Sequence, residues 1–126
     1  SELIKISQSI ADQKNFSVFS GDDPTFNSFM ANGGDGVISV AANVVPSYIS
    51  QICSLNLSGQ FDEAKELNSI LENLYELLFV ESNPIPVKWM LTKMGMIENS
   101  IRLPLIELDE TYHDEILSEL NKLKII

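Results

Sequence analysis

The chain has 126 residues, with 18 Asp and Glu against 8 Lys and Arg, for a formal net charge of −10. Hydrophobic residues make up 44% and charged residues 21%, a globular composition that excludes a disordered acidic tail. The charge repels a nucleic-acid backbone or an anionic membrane, so neither is expected as a partner, and the length allows one sizeable core or two small ones.

Leu3, Ile6 and Ile10, with Ile4 beside them, fall at helical spacing, which predicts a helix over residues 1–12 with Ser1 as its cap. Ser1-Glu2-Leu3-Ile4 reads as a helix beginning without an initiator Met, as if the chain started within a longer protein. Phe16-Ser17-Val18-Phe19 reads as a short buried strand. Ser20-Gly21-Asp22-Asp23-Pro24 ends it with a turn glycine, a carboxylate N-cap and a proline suited to a first helical turn. Phe26, Phe29 and Met30 form the buried face of the next helix, and Asn32-Gly33-Gly34-Asp35-Gly36 stops it. Val37-Ile38-Ser39-Val40 is a second strand, and Pro46 opens a helix through Tyr48, Ile49, Ile52 and Leu55. This alternation with short connections is that of a parallel α/β sheet or barrel.

After Gly59 the pattern changes. Phe61, Ala64, Leu67, Leu71, Leu74 and Leu78 step by threes and fours, predicting one long amphipathic helix over 60–79. Asn83-Pro84-Ile85-Pro86 interrupts it, and a helix from about Pro86 to Met94 ends at Gly95. Leu103-Pro104-Leu105 is extended, and Asp109 caps a last helix with Tyr112, Ile116, Leu117, Leu120 and Leu123. Residues 1–59 carry 5 acids and 2 bases, and residues 60–126 carry 13 acids and 6 bases. The excess acidity therefore belongs to helix faces, not to an acidic binding site. The expected organisation is an α/β unit over 1–59 and an all-α unit over 60–126. Two strands cannot close a barrel, which takes eight strands and roughly 250 residues, so the α/β unit is expected to be the end of something larger.

The inventory of reactive groups is short. Ser20-Gly21-Asp22-Asp23 stands where α/β folds bind ligands, after a strand and before a helix. Gly21 would allow close backbone approach and Asp22 a polar contact at a pocket rim, but a plain turn with a helix-capping carboxylate is the stronger reading of the residues alone. Gly33-Gly34-Asp35-Gly36 precedes a strand, so no helix N-terminus faces it and a tight turn outweighs a phosphate loop. His113, the sole histidine, has no metal-ligand companions and is expected on the solvated side of its helix. Cys53, the sole cysteine, cannot form an internal disulfide, fits a reducing cytoplasm, and is expected to be a buried structural thiol. No lysine lies at the carboxyl end of a strand, where a Schiff-base amine would be placed, and Lys88 falls on a helix with a surface or ion-pair role. There is no run of 18 apolar residues and no secretory signal pattern.

Three segments taken together go further. Phe19-Ser20-Gly21-Asp22-Asp23 is followed by Gly33-Gly34-Asp35-Gly36-Val37-Ile38-Ser39-Val40-Ala41-Ala42-Asn43-Val44. Then come Leu78-Phe79-Val80-Glu81-Ser82-Asn83-Pro84-Ile85-Pro86-Val87-Lys88-Trp89 and Arg102-Leu103-Pro104-Leu105. Their order and spacing closely resemble the C-terminal portion of the dihydrodipicolinate synthases (4-hydroxy-tetrahydrodipicolinate synthases). The Asn-Pro-Ile-Pro-Val-Lys block distinguishes these from their aldolase relatives such as N-acetylneuraminate lyase.

The resemblance implies the last two strands of a TIM (β/α)8 barrel, at 16–19 and 37–40, followed by an all-α helical domain beginning with the helix 60–79. It implies a cytoplasmic lyase of lysine and diaminopimelate biosynthesis, generally a homotetramer, with no cofactor and no metal. In that family pyruvate forms a Schiff base with a barrel lysine, becomes an enamine and attacks L-aspartate 4-semialdehyde. Ile38 matches the position whose main-chain carbonyl lines the pyruvate site, and Gly21 and Asp22 match the mouth that handles the second substrate. The Schiff-base lysine matches a position before Ser1, and the tyrosine and threonine of the proton relay lie earlier still; Tyr48, Tyr75 and Tyr112 do not match that tyrosine. No catalytic residue is therefore expected within these 126 residues. Two other expectations stand beside this one: another pyruvate-dependent aldolase of the N-acetylneuraminate lyase superfamily, or a non-catalytic assembly module.

Overall fold

Phe19–Ser20 (β1) and Gly36–Val37 (β2) pair in parallel, with Phe19 opposite Gly36 and Ser20 opposite Val37. The computed structural model describes Lys5, Ser9 and residues 16–126; the helix expected over 1–12 falls almost wholly outside those residues. Both strands are shorter than the four-residue runs predicted, because among the described residues each finds only one neighbour to bond. The pairing is extended by other means at its start. The Asp35 amide donates to the Val18 carbonyl at 2.8 Å, and the Val18 amide donates to the Asp35 carboxylate at 2.6 Å. The prediction of a buried first strand does not hold for its aromatic residues: Phe16 and Phe19 expose 59% and 54% of their surface, and Ser20 is the buried member.

The helix crossing between the strands, Phe26–Ala31 (α1), buries Phe26 and Met30, with Phe29 partly buried. It starts at Phe26 with Thr25 as N-cap and no side-chain cap, so the expected carboxylate cap is absent. The Asp22 carboxylate instead accepts the Thr25 hydroxyl, and Asp23 turns inward. At the far end, Gly33 takes φ +98°, a left-handed turn that L side chains resist. Gly34 packs so tightly on Phe29 that an added Cβ would lie 2.1 Å from its ring. The Gly-Gly-Asp-Gly run is thus a helix-to-strand turn, as its place in the sequence suggests.

Pro46–Leu57 (α2) opens with its proline in the first turn and buries Ile49 and Ile52. It ends in a left-handed turn at Gly59, where Gly59 donates to the Asn56 carbonyl and Gln60 donates to the Leu55 carbonyl. The single helix predicted over 60–79 is two: Phe61–Ser69 (α3) and Glu72–Leu77 (α4). Neither proline nor glycine marks the break. Leu71 donates to Asn68, three residues back, before Tyr75 resumes the four-residue spacing to Leu71. Ile85–Lys93 (α5) lies within one residue of its predicted span. Asp109 caps a 3-10 turn at Glu110–Tyr112 that leads into His113–Lys122 (α6).

One apolar cluster runs through these helices, from Phe26 to Leu123. Leu71, Leu74, Leu78, Ile116 and Leu120 are wholly buried, each worth about 1.5–3 kcal/mol relative to exposure. Polar ties cross it. Asn56 donates to Asn27 at 2.8 Å, linking α2 to α1, and Asn73 donates at 2.8 Å to buried Glu119, linking α4 to α6. Lys122 completes the second tie at 3.3 Å. Among the described residues no helix is long and apolar enough to cross a membrane.

Candidate functional site

Two parallel strands bring the turns at their carboxyl ends side by side. The Ile38 amide donates to the Ser20 carbonyl at 2.8 Å, one residue beyond the paired strands. Gly21 and Asp22, at the end of β1, therefore adjoin Ile38, at the end of β2. The structure brings together all three residues singled out in the sequence. Gly21 has open space where a side chain would stand, and Asp22 is exposed. Ile38 exposes 73% of its surface. The turn after β1 is held by its own side chains: the Asp22 amide donates to Ser20 Oγ at 3.2 Å, and Ser20 Oγ donates to the Asp22 carbonyl at 3.3 Å.

One residue at this place has a part that the sequence does not reveal. Asp23 exposes 2% of its surface, and its Oδ2 accepts from the Val40 and Ala41 amides at 3.0 Å each. Those partners are 17 and 18 residues away, so no local pattern announces them. The Asp-Asp pair is the only signal, and it does not say which carboxylate turns inward.

The reactive groups elsewhere are accounted for by packing. His113 is not solvated as expected: its ring is half-buried and stacks on Trp89, with centroids 4.3 Å apart and Nε2 3.2 Å from the Leu108 carbonyl. Lys93 lies over the same indole, 4.8 Å from its centroid. Cys53 is half-buried rather than fully buried, and desolvation pushes its thiol up, away from nucleophilic use. Burial, and secondarily the charge of Asp23, pushes the Tyr75 phenol well above its ordinary value, and its hydroxyl donates to Asn68 at 3.0 Å. Neither turn after a strand, 21–25 or 38–40, contains a lysine. Among the described residues no group of three or more His, Cys, Asp or Glu could hold a metal ion.

A parallel strand pair with a helical crossover, polar turns at the strands' carboxyl ends and a helical layer beyond defines an α/β protein. The chain belongs to the dihydrodipicolinate synthetase family, whose model matches residues 1–123. It is 47% identical over 123 residues to a 4-hydroxy-tetrahydrodipicolinate synthase of Prosthecochloris aestuarii, covering 97% of this chain and 41% of that one. One from Coxiella burnetii is 51% identical over 108 residues, 86% of this chain and 37% of the other. The chloride-inhibited dihydrodipicolinate synthase of Acinetobacter baumannii, solved with pyruvate, superposes with a TM-score of 0.89 at 42% identity, covering 98% of this chain and 43% of that chain. The synthase of Aquifex aeolicus gives a TM-score of 0.90 at 37% identity, with 97% and 42% covered. The chain thus spans about two fifths of the length of the relatives it matches.

Proposed function

We propose that these residues are the C-terminal part of a Schiff-base lyase that condenses pyruvate with L-aspartate 4-semialdehyde in lysine and diaminopimelate biosynthesis. Residues 1–59 supply the last two strands of a (β/α)8 barrel with their helices, and residues 60–126 supply a helical domain. The whole enzyme is a cytoplasmic homotetramer. The adjacency of Ile38 to the Gly21-Asp22 turn is the observation that carries this reading, because one face then offers a main-chain acceptor and a polar rim. The Ile38 carbonyl faces pyruvate, and Gly21 and Asp22 border the place where the aldehyde enters. An apolar side chain serves at position 38 because the backbone makes the contact.

The nucleophilic lysine and the proton-relay residues belong to earlier strands, so the 126 residues alone bind no pyruvate covalently. Incubation of the chain with pyruvate and borohydride, followed by mass spectrometry, is expected to leave its mass unchanged. A stoichiometric pyruvyl adduct would overturn this assignment of the chemistry. A second reading, an assembly module, draws support from the exposure of Phe16, Phe19 and Ile38 around the two strands. Light scattering across a range of concentrations separates them: association of the isolated chain is expected, and a strictly monomeric chain removes the module reading.

A further inference from the structure

The buried carboxylate of Asp23 stands beside the proposed site without belonging to it. Burying a charge is costly unless it is paired or hydrogen-bonded. Glu119, the other buried carboxylate among the described residues, meets Lys122 and Asn73. Among the described residues no basic side chain forms an ion pair with Asp23. Its Oδ2 is held by two backbone amides, Val40 and Ala41, and its Oδ1 has no hydrogen-bond partner among the described residues. Those amides open the 3-10 turn Ala41–Asn43, whose own N-cap, Val40, offers no side-chain cap.

The segment from Ile38 to Ala41 is therefore pinned twice from the same side. The Ser20 carbonyl holds the Ile38 amide, and the Asp23 carboxylate holds the amides two and three residues further on. Both pins come from the end of β1 and its turn, so the distance between the two strand ends is set by residues 20 and 23. We propose that Asp23 is a positioning residue: by clamping Val40 and Ala41 it fixes where the Ile38 carbonyl lies. It touches no substrate itself. This rests on the proposed role of Ile38, and predicts that freeing the segment weakens pyruvate binding more than it slows the chemistry.

The test uses a complete enzyme in which residues 1–126 replace the matched portion of the Acinetobacter baumannii synthase, assayed well below its unfolding midpoint. Asp23→Ala is expected to raise KM for pyruvate about tenfold or more, since small misplacements of contacting groups carry large kinetic effects. kcat is expected to stay within about threefold. Asp23→Asn keeps an acceptor oxygen for both amides and is expected to recover most of the lost affinity. If Asp23→Ala lowers activity only in proportion to the unfolded fraction, with KM unchanged, the residue is structural and the proposal falls. It also falls if folded Asp23→Asn behaves like Asp23→Ala. Should the unmutated chimera fold but form no borohydride-trapped pyruvate adduct, the proposed function itself fails and takes the role of Asp23 with it.

Discussion

Phe19 and Ile38, at neighbouring strand ends, expose 54% and 73% of their surface, whereas Leu71, Leu74, Ile116 and Leu120 in the helical layer expose none. The helices satisfy one another: α2 against α3, α4 against α6, and Trp89 of α5 against His113 of α6. The strands leave large apolar side chains in water, and parallel sheets are stable when both faces are covered. The contrast separates the buried seams between the helices from strand ends whose apolar side chains find no cover among the described residues. It also explains why a polar turn and an exposed isoleucine sit beside a well-packed core.

Three substitutions test that contrast. Trp89→Ala removes a 4%-exposed indole together with its stack on His113 and its contact with Lys93, and is expected to destabilise the chain by about 3–5 kcal/mol in urea unfolding. A loss well under that range would mean that the helical layer is looser than its burial implies. Tyr75→Phe deletes the bond to Asn68 and should cost about 1 kcal/mol near neutral pH. It should also change the alkaline limb of stability. The folded phenol titrates above its unfolded value of about 10, so its contribution is complete below that pH and is lost as pH rises above it. Unfolding curves from pH 8 to 11 should therefore fall less steeply for Tyr75→Phe than for the parent. Ile38→Thr, by contrast, alters a side chain in water and should shift stability by no more than about 0.5 kcal/mol. A larger change would show that the strand ends are packed after all, and would erase the difference between the two regions.

The sequence is most readable where the signal is local. Pro46, Gly59, Gly95 and Asp109 mark helix ends because proline, left-handed glycine and a capping carboxylate act within a few residues. The place and order of the strands are legible from their flanking turns, and membership of the family from motifs that its model matches over residues 1–123. Strand length is not, since pairing depends on a partner 17 residues away. The division at 70–71 leaves no mark in the sequence, because Ile70 and Leu71 both keep right-handed helical backbone and only a hydrogen bond shortens. Asp23 and His113 depart from expectation for a common reason: each polar side chain finds its partner in a different element, and helical or turn periodicity is blind to that.

Trp89 is the chain's sole tryptophan; the His113 imidazole stacks on it from α6, and the Lys93 ammonium lies over it from its own helix. Its emission is therefore expected to respond when His113, on the last helix, seats against the indole. The molecule has an internal optical gauge for its own C-terminal closure, and no label need be attached to read it.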